Sequence, residues 1–225
     1  MDFNEFRTFS AQNKDKHNKT LEDINAKIDG RICMNDYLYN VLSMKEFLGK
    51  KCKVYLETGT LWGGSLISLM NIEKSSTLFI GVDLFTGYYE KNVKKNDWNK
   101  CSQDINSSNH LQFVENNIQR LNLYKNQFKL IKGSSYSNST IDKVKQITKT
   151  IDLCFIDGDH SERGVTQDFL KYKDFMSSGG IMIFDNYGEP NTWEGVKKGV
   201  DKIDFIKYGF RILGQLGYSF YIEKL

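Results

Sequence analysis

Ile151-Asp152-Leu153-Cys154-Phe155-Ile156-Asp157-Gly158-Asp159-His160 and Gly180-Ile181-Met182-Ile183-Phe184-Asp185-Asn186 decide how this chain is read. Each is an apolar run, rich in β-branched and aromatic residues, that stops on acids. That is the pattern of a buried parallel strand whose carboxyl end faces a ligand. Between them Val165 to Met176 has helical spacing, so the unit reads strand, helix, strand. Oxygen donors and an imidazole therefore arrive at one edge of one sheet.

Outward from this unit the alternation continues. Val54-Tyr55-Leu56 is a strand that runs into a glycine turn and a helix from Ser65 to Met70, and Leu78 to Val82 is a second strand. Helices over Leu111 to Leu123 and Ile141 to Ile147 flank a third strand at Phe128 to Ile131. After a helix over Thr192 to Ile203, Phe210 to Leu213 and Tyr218 to Ile222 flank Gly214-Gln215-Leu216-Gly217, the spacing of a hairpin. The expected class is α/β: a doubly wound, mostly parallel, seven-stranded sheet of Rossmann-like form with a C-terminal antiparallel hairpin. Ahead of it, residues 8 to 30 read as a surface helix behind a loose leader, with Leu21, Ile24 and Ile28 on one face. Asp36 to Leu48 reads as a second amphipathic helix, with Leu38, Val41, Leu42 and Phe47 on one face and a stop at Gly49. The expected organisation is a helical extension over 1–49 and a ligand-binding domain over 50–225.

Composition narrows the function classes. At 225 residues the chain can bury a substantial core, and a net charge of +3 with a pI near 8.5 does not imply nucleic acid. The densest basic stretch, Lys91, Lys94, Lys95 and Lys100 around Asp97 and Trp98, reads as a solvated loop. Cys33, Cys52, Cys101 and Cys154 show no C-x-x-C spacing, and Cys154 lies inside an apolar strand, as in a reducing compartment. No run approaches membrane-spanning length, so the expectation is a cytoplasmic protein without a membrane span, open to homo-oligomerisation.

The first chemical site is Glu57-Thr58-Gly59-Thr60-Leu61-Trp62-Gly63-Gly64-Ser65, a glycine turn opening a helix. Glycines let the backbone approach a ligand, and the helix start supplies free N–H donors. The spacing is not the dinucleotide fingerprint G-x-G-x-x-G, which weighs against a nicotinamide enzyme. Strand two ends in Asp83, where a carboxylate can accept from ribose hydroxyls. The second site is Asp157, Asp185 and Asn186, a hard-oxygen set suited to Mg²⁺ or another small divalent ion. His160 follows three residues after Asp157, with a pKa that allows it to accept a proton near neutrality. Asp159 is a competing base, or a partner that orients the histidine.

The Leu56 to Ser65 segment resembles the first motif of class I S-adenosylmethionine-dependent methyltransferases, in particular the metal-dependent O-methyltransferases of the macrocin and catechol types. Phe155 to Ser161, Ser178 to Gly188 and Trp193 to Asp201 resemble macrocin-type sequences as well, so the likeness covers about residues 50 to 205. It implies a cofactor site of Glu57, Gly59, Thr60, Gly63 and Ser65 around the methionine part, with Asp83 at the ribose, Ser134 bordering the adenine and Asp157 nearby. It also implies metal ligands at Asp157, Asp185 and Asn186 and a general base at His160. The sequence departs from the pattern at Ser134, where many relatives carry an acid.

The implied activity is methyl transfer from S-adenosyl-L-methionine to a hydroxyl of a vicinal diol, with a divalent metal such as Mg²⁺. The region around Tyr187-Gly188 and Trp193-Glu194-Gly195 favours a sugar of a glycan or glycosylated metabolite; a catechol is the alternative small molecule. Phe85, Tyr88, Tyr89, Lys91 and Trp98 form a candidate lid. An NAD-dependent oxidoreductase and a non-catalytic cofactor-binding module are the rival readings, and the first leaves the Asp157/Asp185/Asn186 set unused.

Overall fold

A computed structural model describes residues 1–32, 37–85, 109–190 and 193–225 of the chain. At its centre lies a seven-stranded sheet in the order β3-β2-β1-β4-β5-β7-β6. The strands are β1 (Val54–Thr58), β2 (Leu78–Asp83), β3 (Phe128–Lys132), β4 (Ile151–Ile156), β5 (Met176–Phe184), β6 (Phe210–Leu216) and β7 (Ser219–Lys224). β1 to β5 run parallel, and β7 is antiparallel to both β5 and β6. Strand order reverses at β1, which pairs with β2 on one side and β4 on the other. In open α/β sheets the ligand crevice opens at such a switch point, at the carboxyl ends of the strands.

The two-residue period of the strands sorts the core into two layers. Tyr55, Phe79, Leu153, Phe155, Ile181 and Ile183 face one way. They meet α1 (Phe3–Asn25), α2 (Tyr39–Leu48), α3 (Gly64–Met70) and α4 (His110–Leu121). Their neighbours Leu56, Ile80, Cys154, Ile156, Met182 and Phe184 face the other way, against α5 (Asn138–Ile147), α6 (Glu162–Tyr172) and α7 (Glu194–Asp201). Cys52 and Cys154 are buried free thiols, and burial pushes Cys52 up to about 12. Among the described residues no helix is long and apolar enough to cross a membrane.

Several boundaries differ from the sequence expectation. The leader is helical from Phe3: the Asp2 carboxylate accepts from the N–H groups of Asn4 and Glu5, capping α1. The helix over Val165 to Met176 stops at Tyr172, and Met176 opens β5. The strand begins ahead of the apolar run at Gly180 because the Ile151 N–H bonds the Phe175 carbonyl and Ser177 Oγ bonds Asp152 Oδ1, which draws the segment into the sheet. At the C-terminus β6 runs on through Leu216, because a register shift between Ile212 and Gly214 absorbs the glycine. The turn shrinks to Gly217-Tyr218, with Gly217 at φ +61° under the Tyr37 ring. Asp36, Thr192, Cys33, Cys101 and the expected lid and basic residues Tyr88, Tyr89, Lys91, Lys94, Lys95, Trp98 and Lys100 lie outside the described residues.

The first fifty residues share a core with the sheet. Phe6 is fully buried and touches Phe3, Phe47 and Tyr221, with ring centroids 5.7 Å away in each case. Truncation leaves a cavity that packed neighbours refill only in part. Phe6→Ala is therefore expected to lower the unfolding free energy by roughly 3–5 kcal/mol in urea titration. A loss under about 1 kcal/mol would show that α1 is a dispensable cover.

Candidate active site

β1 ends on Glu57 and Thr58, and the chain then turns sharply. Gly59 has φ +83°, and a Cβ on it would stand 1.9 Å from the Asp157 carbonyl oxygen, so only glycine fits between the ends of β1 and β4. Gly63, at φ +84°, leads directly into α3. Ser65 Oγ on α3 donates to Glu57 Oε2 at 2.9 Å, and Tyr55 OH donates to the same oxygen at 2.8 Å. Glu57 is 1% exposed, and its Oε1 is a buried acceptor with no donor. Thr60 is buried too, its hydroxyl close under Gly81 of β2 and near enough to Glu57 to oppose the rise of that carboxyl.

Asp83 at the end of β2 is tied into this turn. Its Oδ2 accepts from the Leu61 N–H at 2.9 Å and its Oδ1 from the Phe85 N–H at 2.6 Å. Burial raises its pKa, and those two backbone donors oppose the rise. Beside it the Gly133 N–H bonds the Asp83 carbonyl, and Ser134 Oγ after β3 is buried without a partner. Glu57, Gly59, Ser65, Asp83 and Ser134 thus lie at or just beyond the carboxyl ends of β1, β2 and β3.

The ends of β4 and β5 carry the second group. His160 Nε2 lies 3.0 Å from Asp157 Oδ1, with side-chain exposures of 15% and 29%. Burial lowers the histidine and pushes Asp157 up to about 8. Asp185 hydrogen-bonds Asp157 and also receives Ser219 Oγ from β7 at 3.4 Å. Asn186 has φ +55°, and its amide N–H donates to Glu189 Oε2 at 2.8 Å, leaving the amide oxygen as an acceptor. Among the described residues no three His, Cys, Asp or Glu side chains group as a metal centre. Two carboxylates in contact plus an amide oxygen nevertheless have the donor chemistry of a hard divalent cation.

The partner that orients His160 is Asp157. Asp159 accepts instead from Tyr136 OH at 3.0 Å and from the Ser161 N–H at 3.0 Å, fixing the start of α6. The sequence reading had not singled out Tyr55 or Tyr136 as partners of the acids, Ser219, or Trp193, whose ring meets the His160 ring at 4.5 Å. It also passed over Asp168 on α6, buried, raised to about 7 by burial, and bonded through Oδ2 to Thr58 Oγ1. A polar residue in the apolar stripe of α6 was the one available signal for Asp168; the others are neighbours only in three dimensions.

Burial is the main cause that pushes Glu57 up to about 8, with the Tyr55 and Ser65 donors opposing it and Asp157 adding to it. The folded chain thus holds a proton that the unfolded chain releases near the ordinary value of 4.5. Stability from this group is present below that value and is lost as pH rises towards about 8. Glu57→Gln cannot ionise, so its stability relative to the native chain is expected to rise by on the order of 3 kcal/mol from about pH 5 to about pH 8. Urea unfolding of both proteins across that range measures it, and a pH-independent difference would mean that Glu57 is ionised throughout.

Comparison with known proteins agrees with this geometry. A family model described as a methyltransferase domain matches residues 56–187. A curated relative from Acanthamoeba polyphaga mimivirus, "Uncharacterized protein R132", is 30% identical over 168 residues, spanning 71% of this chain and 66% of that protein. Among solved structures, the O-methyltransferase NovP superposes with a TM-score of 0.60 at 18% identity, covering 83% of this chain and 78% of NovP. An O-methyltransferase from Bacillus cereus in complex with SAH gives 0.58 at 16% identity, covering 97% and 100%. CalS11, a TDP-rhamnose 3'-O-methyltransferase, gives 0.51 at 14% identity, covering 92% and 93%. With the glycine turn and the strand order already in place, the chain belongs to the methyltransferase domain family and has the class I fold of S-adenosylmethionine-dependent O-methyltransferases.

Proposed function

We propose that this protein methylates a hydroxyl of a vicinal diol, on a sugar of a glycan or glycosylated metabolite, with a divalent cation at Asp157, Asp185 and Asn186. The observation that carries the reading is the juxtaposition of His160, Asp157 and Asp185 at the strand ends next to the glycine turn. Residues 50–225 would carry the cofactor and acceptor sites, with the helices of 1–49 packed over one face.

The cofactor supplies an electrophilic methyl on a sulfonium, and a divalent cation supplies charge that lowers the pKa of an acceptor hydroxyl. This chain's residues do the rest. Glu57, with one oxygen unpartnered, offers a negative charge to a cationic ligand, which offsets its own burial cost. Asp83 orients the ribose while its backbone donors hold it in place, and Ser134 borders the base. Asn186 keeps its amide oxygen forward because Glu189 takes its N–H. His160 accepts the acceptor hydroxyl proton on its imidazole, which Asp157 at Nε2 and the Trp193 ring hold in place.

The sugar assignment draws on the macrocin-like Trp193 segment and on CalS11, a TDP-rhamnose 3'-O-methyltransferase, among the similar folds. A catechol acceptor is the second reading, favoured by the same pair of metal-facing oxygens. An assay with labelled S-adenosylmethionine separates them, offering nucleotide sugars, glycosides and catechols with and without chelator. Transfer to a sugar hydroxyl, lost with chelator and restored by Mg²⁺, is expected. His160→Ala is expected to lower kcat by about 10²–10⁴-fold with cofactor affinity retained. Transfer indifferent to chelator would remove the metal from the mechanism, and an unchanged kcat would remove the base.

A further inference from the structure

His110 is buried at the first position of α4, far in sequence from the glycine turn, and the methyl-transfer chemistry above does not use it. Its Nε2 lies 3.0 Å from the Leu61 carbonyl oxygen. A carbonyl only accepts, so the ring carries its proton on Nε2 and donates it there. Burial keeps the imidazole below its ordinary pKa, against the opposing pull of Asp83, which is consistent with a neutral ring.

Leu61 stands at φ +47°, a left-handed conformation that a side chain other than glycine's adopts at a cost. Both sides of the residue are held from outside the turn. Its N–H donates to Asp83 Oδ2 at 2.9 Å and its carbonyl accepts from His110. The imidazole is held in turn, edge to face against Phe85 at 5.6 Å and tilted against Trp62 at 5.0 Å. Phe85 hangs from the same carboxylate, its N–H on Asp83 Oδ1. The strained residue, the ribose acid and the imidazole therefore form one unit, and Leu61 lies midway between Gly59 and Gly63.

We propose that His110 is a positioning residue for cofactor binding, holding Leu61 in its left-handed conformation so that the Gly59 to Ser65 turn stays open to S-adenosylmethionine. The role rests on the reading of that turn as the cofactor site. A methyl donor and its demethylated product feel the turn equally, so His110 acts on affinity for both and not on the transfer step.

Calorimetric binding of S-adenosylhomocysteine to the full chain tests this. His110→Leu is expected to weaken binding about tenfold, the size of one lost hydrogen bond, with unchanged circular dichroism. His110→Gln, which keeps a donor, is expected to recover most of that loss. Leu61→Gly placed in the His110→Leu chain is also expected to recover affinity, because glycine takes the left-handed conformation without restraint. A merely structural histidine would not be rescued by a change at Leu61. Affinity of His110→Leu within twofold of native, or absence of both rescues, overturns the role. Imidazole nitrogen shifts of the native chain give a readout that needs no variant: a protonated Nε2 is expected, and a bare Nε2 overturns it. If the native chain binds no S-adenosylhomocysteine, the cofactor reading of the turn fails first and this role falls with it.

Discussion

Gly59 meets the backbone of Asp157 so closely that a single added carbon would stand 1.9 Å from the carbonyl oxygen. The contact joins the carboxyl ends of β1 and β4, the two strands on either side of the topological switch, and the chemistry of both halves depends on it. Asp157 N–H bonds the Thr58 carbonyl across the same junction, and Gly59 N–H bonds the Val82 carbonyl of β2. Three strand ends are thus locked together by backbone alone. Side chains that leave them, Glu57 from one and Asp157 and His160 from the other, are brought together without any direct attraction between them.

That arrangement concentrates acids where water is scarce. Glu57, Asp83, Asp157 and Asp168 are all raised by burial. The partners the fold supplies are mostly hydroxyls and backbone amides: Tyr55 and Ser65 for Glu57, Leu61 and Phe85 for Asp83, Thr58 for Asp168. Such donors stabilise a carboxylate less than a cation does, so burial still outweighs them at each of these acids. A sulfonium, an ammonium or a divalent ion arriving there relieves the cost of burial.

The helices at the N-terminus belong to the same construction. Phe6, Leu21 and Ile24 of α1 share a cluster with Tyr55 of β1, Phe155 of β4 and Tyr221 of β7. Within this cover His17 is fully buried between Ser43 Oγ and Glu46 Oε2, both at 2.8 Å, which pins α1 to α2. The sequence reading saw a polar, Lys- and Asn-rich surface helix because its apolar positions are sparse. Packing used nearly every one of them.

Continuous apolar runs and strand-helix alternation were enough to predict a parallel sheet with an antiparallel close, because each strand carries its own pattern locally. The acids at strand ends were legible for the same reason: Glu57, Asp83, Asp157 and Asp185 end apolar runs. Boundaries were legible only where a local signal stood alone. Met176 read as the end of a helix until the tertiary fold made it the start of a strand, and Gly214 read as a turn until a bulge absorbed it. Tertiary structure alone decided which partner each polar group found. It gave His160 to Asp157 rather than Asp159, Tyr136 to Asp159, Ser219 to Asp185 and His110 to Leu61. Those pairings span up to 49 residues, and no local pattern encodes them, because a hydrogen bond depends on where two backbones end up and not on how far apart they began.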